Sequence, residues 1–152
     1  MRKIQIVPAS ELEIIQTYLN NYLIELSQFD STIQFEASGK PKYKWLKSYF
    51  SDKDRYAIYL MVDNKIAGFA LIRELGDKAF EIAEFYVCPS FRGGGNAMWF
   101  AKIIADLFGG EFSFSTRIEN KRAIKFWDKF VKNASDCSFK VKGNYKEWNV
   151  TF

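Results

Sequence analysis

The sequence predicts a mixed α/β fold, with one mostly antiparallel sheet and helices on both of its faces. Strand-type segments recur around the tight-turn pairs Asp63-Asn64, Gly76-Asp77 and Gly143-Asn144. Segments of helical spacing alternate with them, in the order β-α-α-β-β-β-α-β-α-β-β. One of these, Met98 to Phe108, is apolar nearly all round, as a helix buried between a sheet and its neighbours must be. No repeat, linker or low-complexity segment interrupts the order, and 152 residues suit one domain over 1–152.

Ile4 to Val7 reads as a short strand. Ser10-x-x-Glu13 has the form of a capping box, and Leu12, Ile15, Leu19, Tyr22, Leu23 and Leu26 repeat at helical spacing up to Ser27. Gln28 to Lys40 has no period and ends with Gly39 before Pro41, so a loop is expected. Pro41 suits the first position of a second helix, with Tyr43, Leu46 and Phe50 facing inward. Arg55 to Val62, Lys65 to Arg73 and Ala79 to Val87 form a meander. The Met98 helix is stopped by Gly109-Gly110. A strand over Glu111 to Ser115 and a helix over Asn120 to Val131 follow, the helix striped by Ala123, Phe126, Trp127, Phe130 and Val131. Cys137 to Lys142 and Tyr145 to Phe152 close the chain as a hairpin.

Composition narrows the function. The chain is 48% hydrophobic and 18% aromatic, which argues against disorder. A net charge of +4, from 22 basic and 18 acidic residues, is too small to imply a nucleic-acid partner, and no dense basic run accompanies it. No apolar run approaches the ~20 residues that cross a bilayer, so no membrane partner is expected. Cys88 and Cys137 make no metal-type pair or disulfide framework, and a cytoplasmic location is the default. Histidine is absent, which excludes Ser-His-Asp and Cys-His nucleophilic systems. Proton transfer then falls to carboxylates, tyrosines, lysines, cysteines or water. Without a histidine base the Cys88 thiol would sit near ~8.5, which favours a structural role for it.

The segment Phe85-Tyr-Val-Cys-Pro-Ser-Phe-Arg-Gly-Gly-Gly-Asn-Ala97 is the most informative in the chain. An apolar strand passes through Arg92 into Gly93, Gly94 and Gly95, which open directly onto a helix. Glycine lets backbone approach a ligand closely, and a helix N-terminus offers unpaired N–H groups to an anion. No Asp, Glu, Ser or Thr stands in the first turn to satisfy those donors, so an outside phosphate would, with Arg92 adding charge and bidentate hydrogen bonds. Taken alone, three glycines are equally compatible with a flexible turn. A P-loop is excluded because no Gly-Lys-Ser/Thr follows, and a dinucleotide fingerprint because Met98 occupies the third glycine position.

Arg92, Gly95 and Ala97 match the pattern Arg/Gln-x-x-Gly-x-Gly/Ala, and Asn120-Lys-Arg-Ala-Ile-Lys-Phe-Trp127 is close to Asn-x-x-Ala-x-x-Phe-Tyr. With both motifs in this order, the chain resembles the GNAT N-acetyltransferases, loosely over its whole length. The resemblance implies the acyl-CoA N-acyltransferase fold, in which the strands ending at Val87 and Ser115 splay apart and the acyl-pantetheine arm enters the gap. It implies acetyl-CoA as co-substrate, an amine acceptor, no metal, and a monomer or homodimer. The pyrophosphate would lie on backbone amides from Arg92, Gly93, Gly94, Gly95, Asn96 and Ala97. Pantetheine would pair strand-like with Phe85 and Val87, on either side of Tyr86, and the Val87 N–H would point at the thioester oxygen. Asn120 would bond pantetheine or a neighbouring strand, and Ala123, Phe126 and Trp127 would continue the binding face. Lys121 and Arg122 oppose the helix macrodipole by ~0.3–1 kcal/mol. A nucleotide phosphate would reverse that cost, while a solvated basic face would tolerate it.

For the base, the resemblance points first to Glu81, six residues before Val87, with Glu84 the other candidate. In an unbulged strand the two lie on opposite faces, and a bulge exchanges them. Apolar Ile82, Ala83 and Phe85 surround both and would raise a carboxyl pKa towards base function. Ser115 stands where other members carry a glutamate, which closes that route. Trp127 replaces the tyrosine that commonly acts as general acid, and indole only donates hydrogen bonds. Water can protonate the thiolate instead, and the same departure also fits a non-catalytic acyl-CoA sensor. The acceptor site is expected between Tyr22 and Tyr49, where Glu25, Asp30 and Glu36 can attract a cationic amine. Antibiotics, polyamines, small metabolites and protein amines all remain open.

Overall fold

The computed structural model describes residues 1–152. Seven strands, β1 (Arg2–Ile6), β2 (Arg55–Val62), β3 (Lys65–Gly76), β4 (Ala79–Val87), β5 (Glu111–Arg117), β6 (Asp136–Lys142) and β7 (Tyr145–Thr151), form one sheet. Their spatial order is β1-β2-β3-β4-β5-β7-β6, and every neighbouring pair is antiparallel except β4–β5. The helices are α1 (Leu12–Leu26), α2 (Ser48–Ser51), α3 (Asn96–Phe108) and α4 (Lys121–Phe130).

β2 explains why both sheet faces are covered. Its run Tyr-Ala-Ile-Tyr-Leu-Met sends Ile58 and Leu60 to one face and Ala57 and Tyr59 to the other. On the first face they meet Phe100 and Ile104 of α3 and Trp127 and Phe130 of α4. On the second they meet Ile15, Leu19 and Leu23 of α1 and Tyr49 of α2. Each such large apolar side chain stabilises the fold by about 1.5–3 kcal/mol on full burial. Asp63 and Asn64, at φ 49° and 65°, make the left-handed two-residue turn that the β2–β3 hairpin needs.

Two local expectations are corrected. Ser10 does not cap α1: a 3-10 turn over Ala9–Glu11 comes first, and Glu11 takes the N-cap position without a side-chain cap bond. Pro41 does not start a helix either. It bridges to Phe35, and the Lys42 N–H is given to the Gln34 carbonyl, so this backbone is committed to a loop pairing. The helix forms only at Ser48–Ser51, although Leu46 and Tyr49 are buried as the pattern required.

Two features of β4 position the site. It pairs with β5 only from Ala79 to Glu81, against Glu111 to Ser113, and beyond that the parallel strands part. β5 pairs with β7 along its whole length instead. Against β3, Leu71 faces Glu84 while Ile72 faces Ile82, so Ala83 is an extra residue, a bulge between the two glutamates.

Candidate active site

The splay between β4 and β5 opens into a cleft of about 280 Å³. Phe85, Tyr86 and Val87 of β4, Arg92 and Ala97, and Asn120, Arg122, Ala123, Phe126 and Trp127 all line it. Gly93, Gly94, Gly95 and Asn96 lie between Arg92 and Ala97, outside the lining. The end of α1 also borders the cleft, through Tyr22, Glu25 and Leu26, with Phe29 just beyond. Sequence reasoning gave that segment to the acceptor alone.

Gly93 and Gly95 have φ of 88° and 79°, in the left-handed region where only glycine sits without strain. A Cβ added at Gly93 or Gly94 would meet nothing within 4 Å, so the loop backbone is bare on that side. No side chain caps α3. Asn96 turns its amide back to the Phe91 carbonyl at 2.8 Å, and its Oδ1 accepts from Arg2 Nε at 2.7 Å. Arg2 also donates to the Gly94 carbonyl at 2.5 Å, so β1 braces the loop from the far end of the sheet. The first-turn amides of α3 stay free for an anion, and the loop fits a pyrophosphate.

Arg92 is not free to add its fork to that anion. Its Nε donates to the Val87 carbonyl at 2.8 Å, and its Nη2 donates to Glu25 at 3.0 Å. Arg122 donates to the same carboxylate at 2.8 Å, so Glu25 joins α1, the glycine loop and α4 across the cleft mouth. Burial alone would raise the Glu25 carboxyl, but the hydrogen bonds and charge of Arg92 and Arg122 outweigh it and hold the pKa below its usual value. Lys121 points elsewhere, into a groove with Lys102 and Lys125. Because Cys88 N–H is given to Ala67 on β3, strand alternation turns the Val87 N–H away from β3, towards the gap left by β5. Asn120 is buried and caps α4, its Oδ1 accepting from the Ala123 N–H at 3.2 Å. Trp127 is buried against Phe114, with ring centroids 4.2 Å apart, and against Phe85.

The bulge at Ala83 brings Glu81 and Glu84 into one second cavity of about 350 Å³, not onto opposite faces. This cavity shares Ile82, Ala83 and Ser115 with the cleft. Glu81 is ion-paired with Arg73 at 3.1 Å. Glu84 is half-buried, but its Oε2 is shut off from solvent and has no hydrogen-bond partner. Burial, with the charge of Glu81 behind it, pushes its pKa up to about 8. Burial and then the Glu84 charge also raise the neighbouring phenols, Tyr49 to about 12 and Tyr43 further.

Tyr43, Trp45 and Tyr49 are the aromatic walls of this cavity, and none of Glu25, Asp30 and Glu36 lines it. Asp30 is taken by Thr32 and by the Tyr145 hydroxyl at 3.1 Å, and Glu36 is exposed. The Cys88 thiol is half-buried and raised by that burial, as a structural cysteine would be.

Residues 20–131 match the family model described as the acetyltransferase (GNAT) family. The chain belongs to the GNAT acetyltransferases. It is thus an N-acetyltransferase using acetyl-CoA.

Solved structures agree in fold. A spermidine N-acetyltransferase from Vibrio cholerae, in complex with CoA and spermine, superposes with a TM-score of 0.70 at 13% identity, over 99% of this chain and 95% of that one. The PaiA N-acetyltransferase from Thermoplasma acidophilum, in complex with coenzyme A, gives 0.69 at 13% identity, over 100% and 99%. An N-acetyltransferase from Staphylococcus aureus Mu50 gives 0.63 at 17% identity, over 99% and 96%. No curated protein matches the GNAT chain in sequence.

Proposed function

We propose that this acetyltransferase acetylates a primary amine by direct attack, with Glu84 as the general base and the acceptor seated in the second cavity. The observation that carries the proposal is the inaccessible, unpartnered Glu84 Oε2 in a cavity that meets the cleft along Ile82, Ala83 and Ser115. An alkylammonium of pKa ~10.4 yields its proton to an ordinary carboxylate across about six pK units. To a carboxyl near 8 the gap is only about two. Glu81 is the weaker candidate, because its carboxylate is already committed to the ion pair with Arg73.

The residues divide the work. Free amides of α3 and the glycine loop hold the pyrophosphate, and the apolar walls from Phe85 to Trp127 enclose the pantetheine arm. The Val87 N–H meets the thioester oxygen as negative charge develops on it. The amine nitrogen bonds to the acetyl carbon, the carbon–sulfur bond breaks, and Glu84 takes the amine proton. Trp127 supplies no proton, and water protonates a thiolate that is a tolerable leaving group at pKa ~8.5.

The test is Glu84→Gln. It is expected to lower kcat by ~10²–10⁴ at neutral pH while leaving acetyl-CoA affinity as it was. Turnover equal to the parent's would overturn the assignment. Tight acetyl-CoA binding with no amine acetylated would favour a sensor over an enzyme at this site.

A further inference from the structure

The second cavity is not built for a polycation. Arg55 on β2 stands directly opposite Arg73 on β3, and Arg73 opposite Glu81 on β4. At ~4.8 Å between strands, this makes a row of three charged side chains across one face of the sheet. The Glu81 carboxylate is committed to Arg73. Arg55 keeps its donors: the nearest carboxylate oxygen, on Asp52, is 3.7 Å away, beyond hydrogen-bond length. Asp52 is half in solvent and does not line the cavity, whereas the Arg55 side chain is only 16% exposed. The Arg55 guanidinium lies 5.3 Å from the ring centre of Tyr49 and 5.7 Å from that of Trp45, which fix its plane. A cation so sheltered, with its fork unused, is suited to a planar anion. A second ammonium would find no carboxylate left to receive it.

Resting on the reading of this cavity as the acceptor site, we propose that the acceptor is an aminocarboxylate. Its carboxylate is held by Arg55 beside Arg73, and its amine is presented to Glu84 at the strip shared with the cleft. An apolar or aromatic body lies against Tyr43, Trp45 and Tyr49. Arg55 is then the residue that sets specificity, since the two ends of the acceptor are recognised by opposite chemistry, Arg55 on β2 and Glu84 on β4.

The experiment measures CoA release with acceptors in pairs that differ only by a carboxylate. Phenylalanine is paired with phenethylamine, and glycyl-phenylalanine with glycine phenethylamide, so that two amine–carboxylate separations are sampled; spermidine is run beside them. In at least one pair the carboxylate form is expected to have a kcat/KM at least tenfold higher, and to exceed spermidine. In Arg55→Met that ratio is expected to fall at least tenfold, and Arg55→Lys to recover part of it. The ratio is taken on one preparation, so partial loss of fold cancels. Glu84→Gln and acetyl-CoA binding are measured alongside. If spermidine and the carboxylate-free amines are acetylated as well or better, and Glu84→Gln slows them, the aminocarboxylate inference is overturned while the base assignment stands. The inference is equally overturned if Arg55→Met keeps the ratio. If no amine is acetylated by a protein that binds acetyl-CoA, or if Glu84→Gln is as fast as the parent, the reading of the site fails and takes the inference with it.

Discussion

In the proposed reaction Glu84 concentrates the chemistry in one carboxyl group, and its raised pKa bears on stability as well as rate. The folded protein keeps the Glu84 proton up to about pH 8, while the unfolded chain gives it up near ~4.3. Between those values the unfolded state binds fewer protons, so stability is intact below ~4.3 and erodes as pH rises to about 8. The whole loss is on the order of 3–5 kcal/mol. Glu84→Gln is therefore expected to melt with the parent at pH 4 and above it at pH 8, as checked by calorimetry across that range. The same substitution should remove the rise in kcat between pH 7 and 8. Sequence alone put Glu81 ahead of Glu84, because the bulge that brings both into one cavity has no local signature. It exists only in the register of β4 on β3, where Ala83 finds no partner. Trp127, by contrast, was legible from its place in the motif, and a pocket wall is what it forms.

At the level of elements, the glycine loop and the start of α4 can be probed without unfolding either. Gly94 has ordinary φ and open space around a built Cβ, whereas Gly95 sits at φ 79°. Gly94→Glu should accordingly fold normally yet place an anion against the free amides of α3, abolishing the rise in Tm that acetyl-CoA gives the parent. Undiminished binding by Gly94→Glu would remove the phosphate from this loop. Asn120 carries two roles that a pair of substitutions separates. Asn120→Ala loses the cap on Ala123 and should cost about 1 kcal/mol. Asn120→Asp retains a capping oxygen and should keep that stability, yet lose acetyl-CoA affinity if the amide donor reaches pantetheine. Titration calorimetry and thermal melts read the two effects independently. The hairpins and α3 were visible as turn pairs and periodicity, though α3 buries only the face of Phe100, Ala101, Ile104 and Ala105 and leaves Leu107 exposed. The α1 cap and the second helix were not, since both depended on what the neighbouring backbone was already bonded to.

Across the whole molecule, the contacts that sequence could not supply are those spanning long stretches of chain. Arg2 braces Asn96 and Gly94, and Glu25 reaches both Arg92 and Arg122. None of these pairs has a spacing rule, because each is set by the strand order of the finished sheet. Ligand linkage should be visible at this scale. Acetyl-CoA at 100 times its Kd adds about 2.7 kcal/mol to the folded state, which at ~2–4 °C per kcal/mol predicts a rise in Tm of roughly 5–11 °C. The meeting of two separately lined cavities along Ile82, Ala83 and Ser115 has a kinetic meaning too. In the proposed reaction each partner has its own seat, and the chain offers no histidine-activated nucleophile to store the acetyl group between visits. Both must be aboard before anything is exchanged, so double-reciprocal plots at varied acetyl-CoA and amine should intersect rather than run parallel.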